Sequence, residues 1–162
     1  MGDNKVIPVR VAVRIRPLVK KEIDEGSRSF VNKIPSQPQV SINGSNEAFT
    51  FDYVFDPNES QSQVYETAVS KMVGKIFKGY NVTILAYGQT GSGKTYTMGT
   101  ADCLNLVESQ NGGIIQRAVR DLFLKMKQNS DLTYEVRVSF LEVTGNLLVG
   151  MPVIHCSLLS FS

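Results

Sequence analysis

Val82-Thr83-Ile84-Leu85-Ala86-Tyr87 runs directly into Gly88-Gln89-Thr90-Gly91-Ser92-Gly93-Lys94-Thr95, and the reading of this junction decides the fold. Residues 82–86 are apolar and β-branched, the composition of a short strand buried on both faces of a parallel sheet. Residues 88–95 satisfy G-x-x-x-x-G-K-S/T in full. Glycines at that spacing let successive backbone N–H groups turn inward around a polyphosphate, and a helix beginning at Lys94 points its positive dipole end at the same charge. Lys94 is then the compact cation that reaches the β- and γ-phosphates. Thr95 is the hydroxyl ligand of Mg²⁺, whose other positions are filled by nucleotide and water oxygens. The alternative is a chance glycine turn, and the strand in front of the loop argues against it. The expectation is an α/β fold whose P-loop takes the polyphosphate of a nucleotide with Mg²⁺.

Upstream of the junction, the positions Val64, Ala68, Met72, Ile76 and Phe77 recur at helical spacing. Asn58 or Ser60 is available as the cap and Gly79 as the stop. Met72 and Phe77 read as core-facing in that helix. Earlier still, the runs 30–34 and 39–42, then Asn43-Gly44, then Phe49, Phe51, Tyr53 and Phe55 on alternate positions predict a small antiparallel meander turned by Asn-Gly. Residues 9–16 alternate Val9, Val11, Val13 and Ile15 with Arg10, Ala12, Arg14 and Arg16, the pattern of a half-buried strand that Pro17 stops. The charged residues 20–25 read as a solvated loop.

Downstream, Ile115, Val119, Leu122, Phe123 and Met126 predict a helix over 114–126, and Tyr134, Val136, Val138 and Phe140 predict a strand over 134–143. Strands alternating with helices argue for an α/β sheet. Beyond Val143 the chain carries no Asp, Glu, Lys or Arg. Polar residues and glycines interrupt that tail, so it lacks the run of about 18 apolar residues that a membrane span requires.

Composition narrows the function classes. A length of 162 residues with 42% hydrophobic and 20% charged residues suits one globular domain. The net charge of +2 is no dense basic stripe, so nothing points directly to nucleic acid. Cys103 and Cys156 are too few and too far apart for a disulfide framework or a zinc site, and His155 has no second histidine to pair with. The N-terminus lacks an apolar signal core, and a reduced cytoplasmic protein is the expectation. The glycosylation triplets at Asn43, Asn58 and Asn81 carry no weight without a secretory route.

The run Gly79-Tyr80-Asn81-Val82-Thr83-Ile84-Leu85-Ala86-Tyr87, the glycine loop and Tyr96-Thr97-Met98-Gly99 together resemble the P-loop region of kinesin motor domains. Three more pieces match in order. Val11-Ala12-Val13-Arg14-Ile15-Arg16-Pro17-Leu18 is similar to the family's first strand with its R-x-R-P element. Phe51-Asp52-Tyr53-Val54-Phe55 is similar to F-x-F-D-x-V-F, and Gly113-Ile114-Ile115-Gln116-Arg117-Ala118 to G-I-I-P-R-A, with Gln116 in place of proline. Residues 8–12 and 17–23 most resemble the chromokinesin subfamily. The resemblance implies a P-loop NTPase fold with a mixed central sheet flanked by helices, and ATP binding coupled to movement along microtubules in the cytoplasmic cytoskeleton. It also implies that Arg14 and Pro17 line the adenine pocket, that Tyr96 packs on the ring, and that residues 88–95 hold phosphates and magnesium. From the residues alone, Arg14 also reads as a solvated strand arginine and Tyr96 as core filler.

The resemblance runs to residue 143, and residues 144–162 resemble nothing in the motor. The expectation is an N-terminal portion over 1–143 with an unrelated tail. Kinesins sense the γ-phosphate and position water with N-x-x-S-S-R and D-x-x-G elements. Neither occurs here, and Ser27-Arg28-Ser29 lacks the paired serines. No catalytic residue is therefore assigned; Asp56 and Glu142 read as strand-end or surface carboxylates. Two readings stand: a microtubule motor represented by an N-terminal portion without its switches, and a non-catalytic nucleotide-binding remnant. In the family's sheet the P-loop strand lies between strands supplied by later sequence. Without them its backbone groups, if buried, would each cost about 1–3 kcal/mol. The expectation is either no stable fold or a rearranged sheet with open edges.

Overall fold

The computed structural model describes residues 8–99, 111–129, 132–144, 147–153 and 156–159. Cys103 and His155 lie outside them. The meander forms as expected: β2 (Val31–Lys33), β3 (Gln39–Ile42) and β4 (Ala48–Thr50) make an antiparallel three-stranded sheet. Gly44 supplies the positive φ of 83° at its second turn, between β3 and β4. The phenylalanine-rich run does not continue as one strand. Asp52 breaks it, accepting at Oδ2 from the backbone N–H of Val11 (2.7 Å). β5 (Tyr53–Phe55) then pairs in parallel with β1 (Ala12–Arg14), Val13 opposite Val54. The first strand is shorter than its alternation suggests, and Val9 and Val11 are exposed because no layer covers that end.

Residues 20–25 are a correction. α1 (Lys20–Asp24) is a solvated helical turn and not a loop. Glu22 makes it so: its Oε2 accepts from the Val19 N–H (2.8 Å), and its Oε1 pairs with Arg16. Arg16 and the Val19 N–H both hold the Glu22 carboxyl below its ordinary range.

The helical run begins at Ser60, whose Oγ accepts from Gln63 N (3.2 Å) while Gln63 Oε1 accepts from Ser60 N (2.7 Å). This reciprocal box fixes the start of α2 (Gln61–Val64). A π-helical turn, Tyr65–Val69, precedes α3 (Ser70–Ile76). The extra residue in that turn shifts the buried stripe from the expected 68, 72 and 76 to Val69 and Val73. Met72 and Phe77 are consequently half-buried, Phe77 meeting Tyr134 edge to face. Gly79, at φ 81°, ends the run as expected. The core gathers Phe55, Val64, Tyr65, Val69, Val73 and Ile114, with Ile84, Met98, Ala118 and Leu122 packed on it.

The expected P-loop strand is the main departure. Residues 82–86 form no regular element and belong to no sheet. Val82, Ile84 and Ala86 are half-buried, while Leu85 is 84% and Tyr87 95% exposed. No backbone hydrogen bond joins this segment to other described residues. The single sheet expected is replaced, among the described residues, by four small ones.

α5 (Ile114–Gln128) follows the expected helix closely. Ile114 and Leu122 face the core, but Ile115, Val119 and Phe123 lie on the exposed side, where a further layer would be needed to bury them. Gln116 sits at the third position of the first turn, where an N–H has no intrahelical carbonyl to reach, so glutamine and proline both fit there. The strand expected over 134–143 is two strands with different partners. β6 (Thr133–Val136) pairs antiparallel with β9 (Cys156–Leu159), and β7 (Ser139–Thr144) with β8 (Leu147–Val153). Among the described residues no helix is long and apolar enough to cross a membrane.

Candidate nucleotide-binding site

The loop 88–93 turns on three glycines with positive φ: Gly88 (152°), Gly91 (78°) and Gly93 (94°). A side chain at Gly88 would fill the loop, since a Cβ there would stand 2.5 Å from Ser92 Oγ. α4 (Lys94–Met98) begins where the sequence places it, with left-handed Gly93 as its N-cap. Lys94 folds back over the loop, and its Nζ donates to Gly88 O (2.7 Å) and Gln89 O (2.8 Å). The ammonium is thus held at the loop mouth by two carbonyls, the position from which it would meet a phosphate oxygen. Gln89, Thr90 and Thr95 are exposed, so the Thr95 hydroxyl is open to a magnesium ion's hydration shell. Glycine cradle, inward lysine and open hydroxyl are the donor set that a magnesium–polyphosphate group requires.

Of the residues expected at the base, two come together and one stands apart. The Arg14 guanidinium lies 5.2 Å over the centre of the Tyr96 ring. Its Nη1 donates to Gln61 Oε1 (2.7 Å) and Thr97 Oγ1 (3.1 Å), and its Nη2 to Glu59 O (3.3 Å). Arg14 is therefore anchored rather than solvated. Burial pulls its pKa below the ordinary arginine value, opposed by Tyr96 and Glu59. Tyr96 is 57% exposed, with ring surface free for a planar partner, so it is not core filler. Pro17 is exposed, and its carbonyl accepts from Arg16 Nη1 (3.2 Å).

Three residues of this site were not singled out from the sequence. Gln61 is buried and joins Arg14 to the backbone of Tyr96. Its signal was available: it shares a helix face with Val64 and Tyr65, three and four residues on, so a polar group sits on the apolar stripe. Arg16 lies against the loop, its Cδ 3.8 Å from where a Cβ on Gly93 would be. Glu59 connects the meander to the site, its carboxylate meeting Lys33 Nζ (3.1 Å) and the Asp56 N–H (2.5 Å). Asp56 itself accepts from the Asn58 N–H (2.7 Å), a local turn at the strand end. The Glu142 side chain lies outside the described residues. Gly113, ahead of α5, packs against the end of α4 so tightly that a Cβ would run into the backbone of Met98 and Gly99.

Comparison with known proteins decides the lineage of this loop. The model of the kinesin motor domain matches residues 14–149, most of the chain. The chain belongs to the kinesin motor domain family. It is 48% identical over 149 residues to the chromosome-associated kinesin KIF4A of Homo sapiens and to KIF4 of Mus musculus, covering 92% of this chain. It is 44% identical over 137 residues, 85% of the chain, to the kinesin-like protein KIF27 of Mus musculus. It spans about 12% of the length of the KIF4 relatives and 10% of the KIF27 relative. The similarity to chromosome-associated kinesins agrees with the chromokinesin resemblance of residues 8–12 and 17–23. Within this motor-domain lineage, Arg14 opens the matched stretch, and the glycine loop lies wholly inside it.

Proposed function

We propose that residues 88–95 bind ADP or ATP with Mg²⁺, and that the chain is the nucleotide-holding part of a kinesin-like microtubule motor. The observation that carries this reading is Lys94, folded over a three-glycine cradle onto the carbonyls of Gly88 and Gln89 at the start of a helix. In this reading Gly88, Gln89, Thr90, Gly91, Ser92 and Gly93 supply backbone N–H groups to the phosphates. Lys94 supplies the cation, and Thr95 the magnesium-binding hydroxyl. Arg14, Pro17 and Tyr96 form the base side. Tubulin as partner, and the microtubule cytoskeleton of the cytoplasm as location, follow from the family. Residues 1–143 are read as the motor-like portion and 144–162 as an added tail; β8 and β9 of that tail pair with β7 and β6, and the family match runs six residues into it.

These 162 residues hold nucleotide without turning it over. Neither D-x-x-G nor N-x-x-S-S-R occurs in them, which favours a non-catalytic binding role for the chain as it stands. The test is a titration with a fluorescent ADP analogue in Mg²⁺ beside Lys94→Ala, followed by ATP turnover with and without microtubules. Saturable binding is expected, weakened at least about 100-fold in Lys94→Ala, because that variant loses the charge-assisted contact with phosphate. No microtubule stimulation is expected. Equal binding by both proteins would remove the P-loop from the account, and robust stimulation would remove the claim about turnover.

A further inference from the structure

Gln61 is only 3% exposed, yet both ends of its amide are engaged. Its Nε2 donates to the backbone carbonyl of Tyr96 (2.5 Å), and its Oε1 accepts from Arg14 Nη1 (2.7 Å). One side chain at the first helical position after the Ser60 cap therefore fixes two groups that come from distant parts of the chain. One is the arginine at the end of β1, and the other is the turn of α4 that carries the Tyr96 ring. A buried amide that loses either partner leaves an unsatisfied polar group, so it prefers this single arrangement strongly. Gln61 is far enough inside that it presents no surface to a nucleotide. Whatever it does for binding, it does through Arg14 and Tyr96.

We infer that Gln61 is a positioning residue that sets base recognition separately from phosphate recognition. The inference rests on the nucleotide reading above. The separation follows from what each group touches. The phosphate loop is organised by its own glycines and by Lys94 on Gly88 and Gln89, with no bond to Gln61. The base side has the Arg14 guanidinium stacked over Tyr96, and Gln61 bonds to both residues. Removing the amide releases the Arg14 guanidinium and the α4 backbone at Tyr96, and leaves the glycine cradle alone.

The experiment compares Mg-ADP with Mg-pyrophosphate by calorimetric titration in the 162-residue chain, in Gln61→Met, which keeps the volume, and in Gln61→Glu, which keeps a partner for Arg14. Thermal melts accompany each titration. The expected result for Gln61→Met is ADP affinity lowered about tenfold with pyrophosphate affinity within about twofold of the parent, so the ratio of the two falls. Gln61→Glu keeps the contact with Arg14 but sets a carboxylate oxygen against the Tyr96 carbonyl, so its ratio falls as well. A parallel loss of both affinities, or an unchanged ratio in both variants, overturns the inference, since a residue that merely supported the fold would act on both ligands alike. If Gln61→Met does not fold, the ratio in Gln61→Glu decides. Binding of neither ligand by the parent chain fails the nucleotide reading itself, and the inference falls with it.

Discussion

Residues 61–76, an amphipathic run, and residues 81–87, a mainly apolar one, pack on the same core and end in opposite states. The first closes its own amide bonds turn by turn, starts from the Ser60 box and buries Val64, Tyr65, Val69 and Val73. The second packs Ile84 on the core but finds no backbone partner among the described residues and leaves Leu85 and Tyr87 in water. A helix satisfies its backbone from within a continuous segment, whereas a strand takes half of its structure from other segments. The phosphate loop hangs between these two kinds of support. Its C-terminal side is a helix, and its N-terminal side has the composition of a strand but stands in no sheet.

The comparison can be broken first at the supported side. Val69→Asp places a carboxylate without a partner among Tyr65, Val73 and Phe55, a cost of several kcal/mol against a total stability of about 5–15 kcal/mol. Loss of any cooperative thermal transition is expected by circular dichroism. A retained melt within a few degrees of the parent would mean that 61–76 does not anchor the core.

A smaller effect is expected at Tyr65, whose hydroxyl donates to Asp121 Oδ2 (2.9 Å) and ties the helical run to α5. Burial, followed by the hydrogen bond to Asp121 and that residue's charge, pushes the Tyr65 pKa well above its ordinary value near 10. The raised value means that the folded state keeps this proton longer than the unfolded chain. The stabilisation is therefore complete below about pH 10 and is lost as pH rises toward the folded value. Melting temperatures from pH 7 to 11 should fall at the alkaline end. Tyr65→Phe should lower stability at pH 7 by about 1.5 kcal/mol, the worth of a bond to a charged acceptor, and should flatten that alkaline fall. An identical alkaline slope in Tyr65→Phe would contradict a Tyr65 hydroxyl whose proton is held by burial and by Asp121.

The smallest effect on stability, and the sharpest on behaviour, belongs to the unsupported side. From Gly79 to Gly93 the sequence has no charge and no proline, so the open segment carries none of the residues that blunt strand edges. Leu85→Lys adds one at a solvent-facing position and should alter stability by no more than about 0.5 kcal/mol. Sedimentation velocity should show association of the parent rising with concentration, and less of it in Leu85→Lys. Equal association of the two proteins would mean that another surface is responsible.

What the sequence made legible follows the same division. Asn43-Gly44, the Ser60 cap, the Gly79 stop and the start of α4 at Lys94 are local devices, written in a few adjacent residues, and each stands where expected. The helix α1 was hidden because Glu22 acts through Arg16 and the Val19 N–H, and the composition of 20–25 alone looks only solvated. The π-helical turn was hidden because one inserted residue moves a stripe without changing its composition. Residues 82–86 carry strand chemistry, yet no chemistry within a segment supplies its neighbours. At the site, the glycines and Lys94 were legible from spacing, and Arg14 and Tyr96 from family resemblance. Gln61 is marked in the sequence only as a polar group on the stripe of Val64 and Tyr65; its two long-range partners, Arg14 and the Tyr96 carbonyl, are encoded by no spacing.

The most direct measurement is amide hydrogen exchange by mass spectrometry on the full 162-residue chain, with and without Mg-ADP. Without nucleotide, peptides covering 61–76 should be protected and those covering 81–87 should exchange near the rate of an open backbone. With Mg-ADP the amides of 88–95 should slow markedly, and Lys94→Ala should abolish that slowing. Protection of 81–87 equal to that of 61–76, or no response of 88–95 to saturating nucleotide, would contradict the account of a working phosphate loop that follows a segment in no sheet.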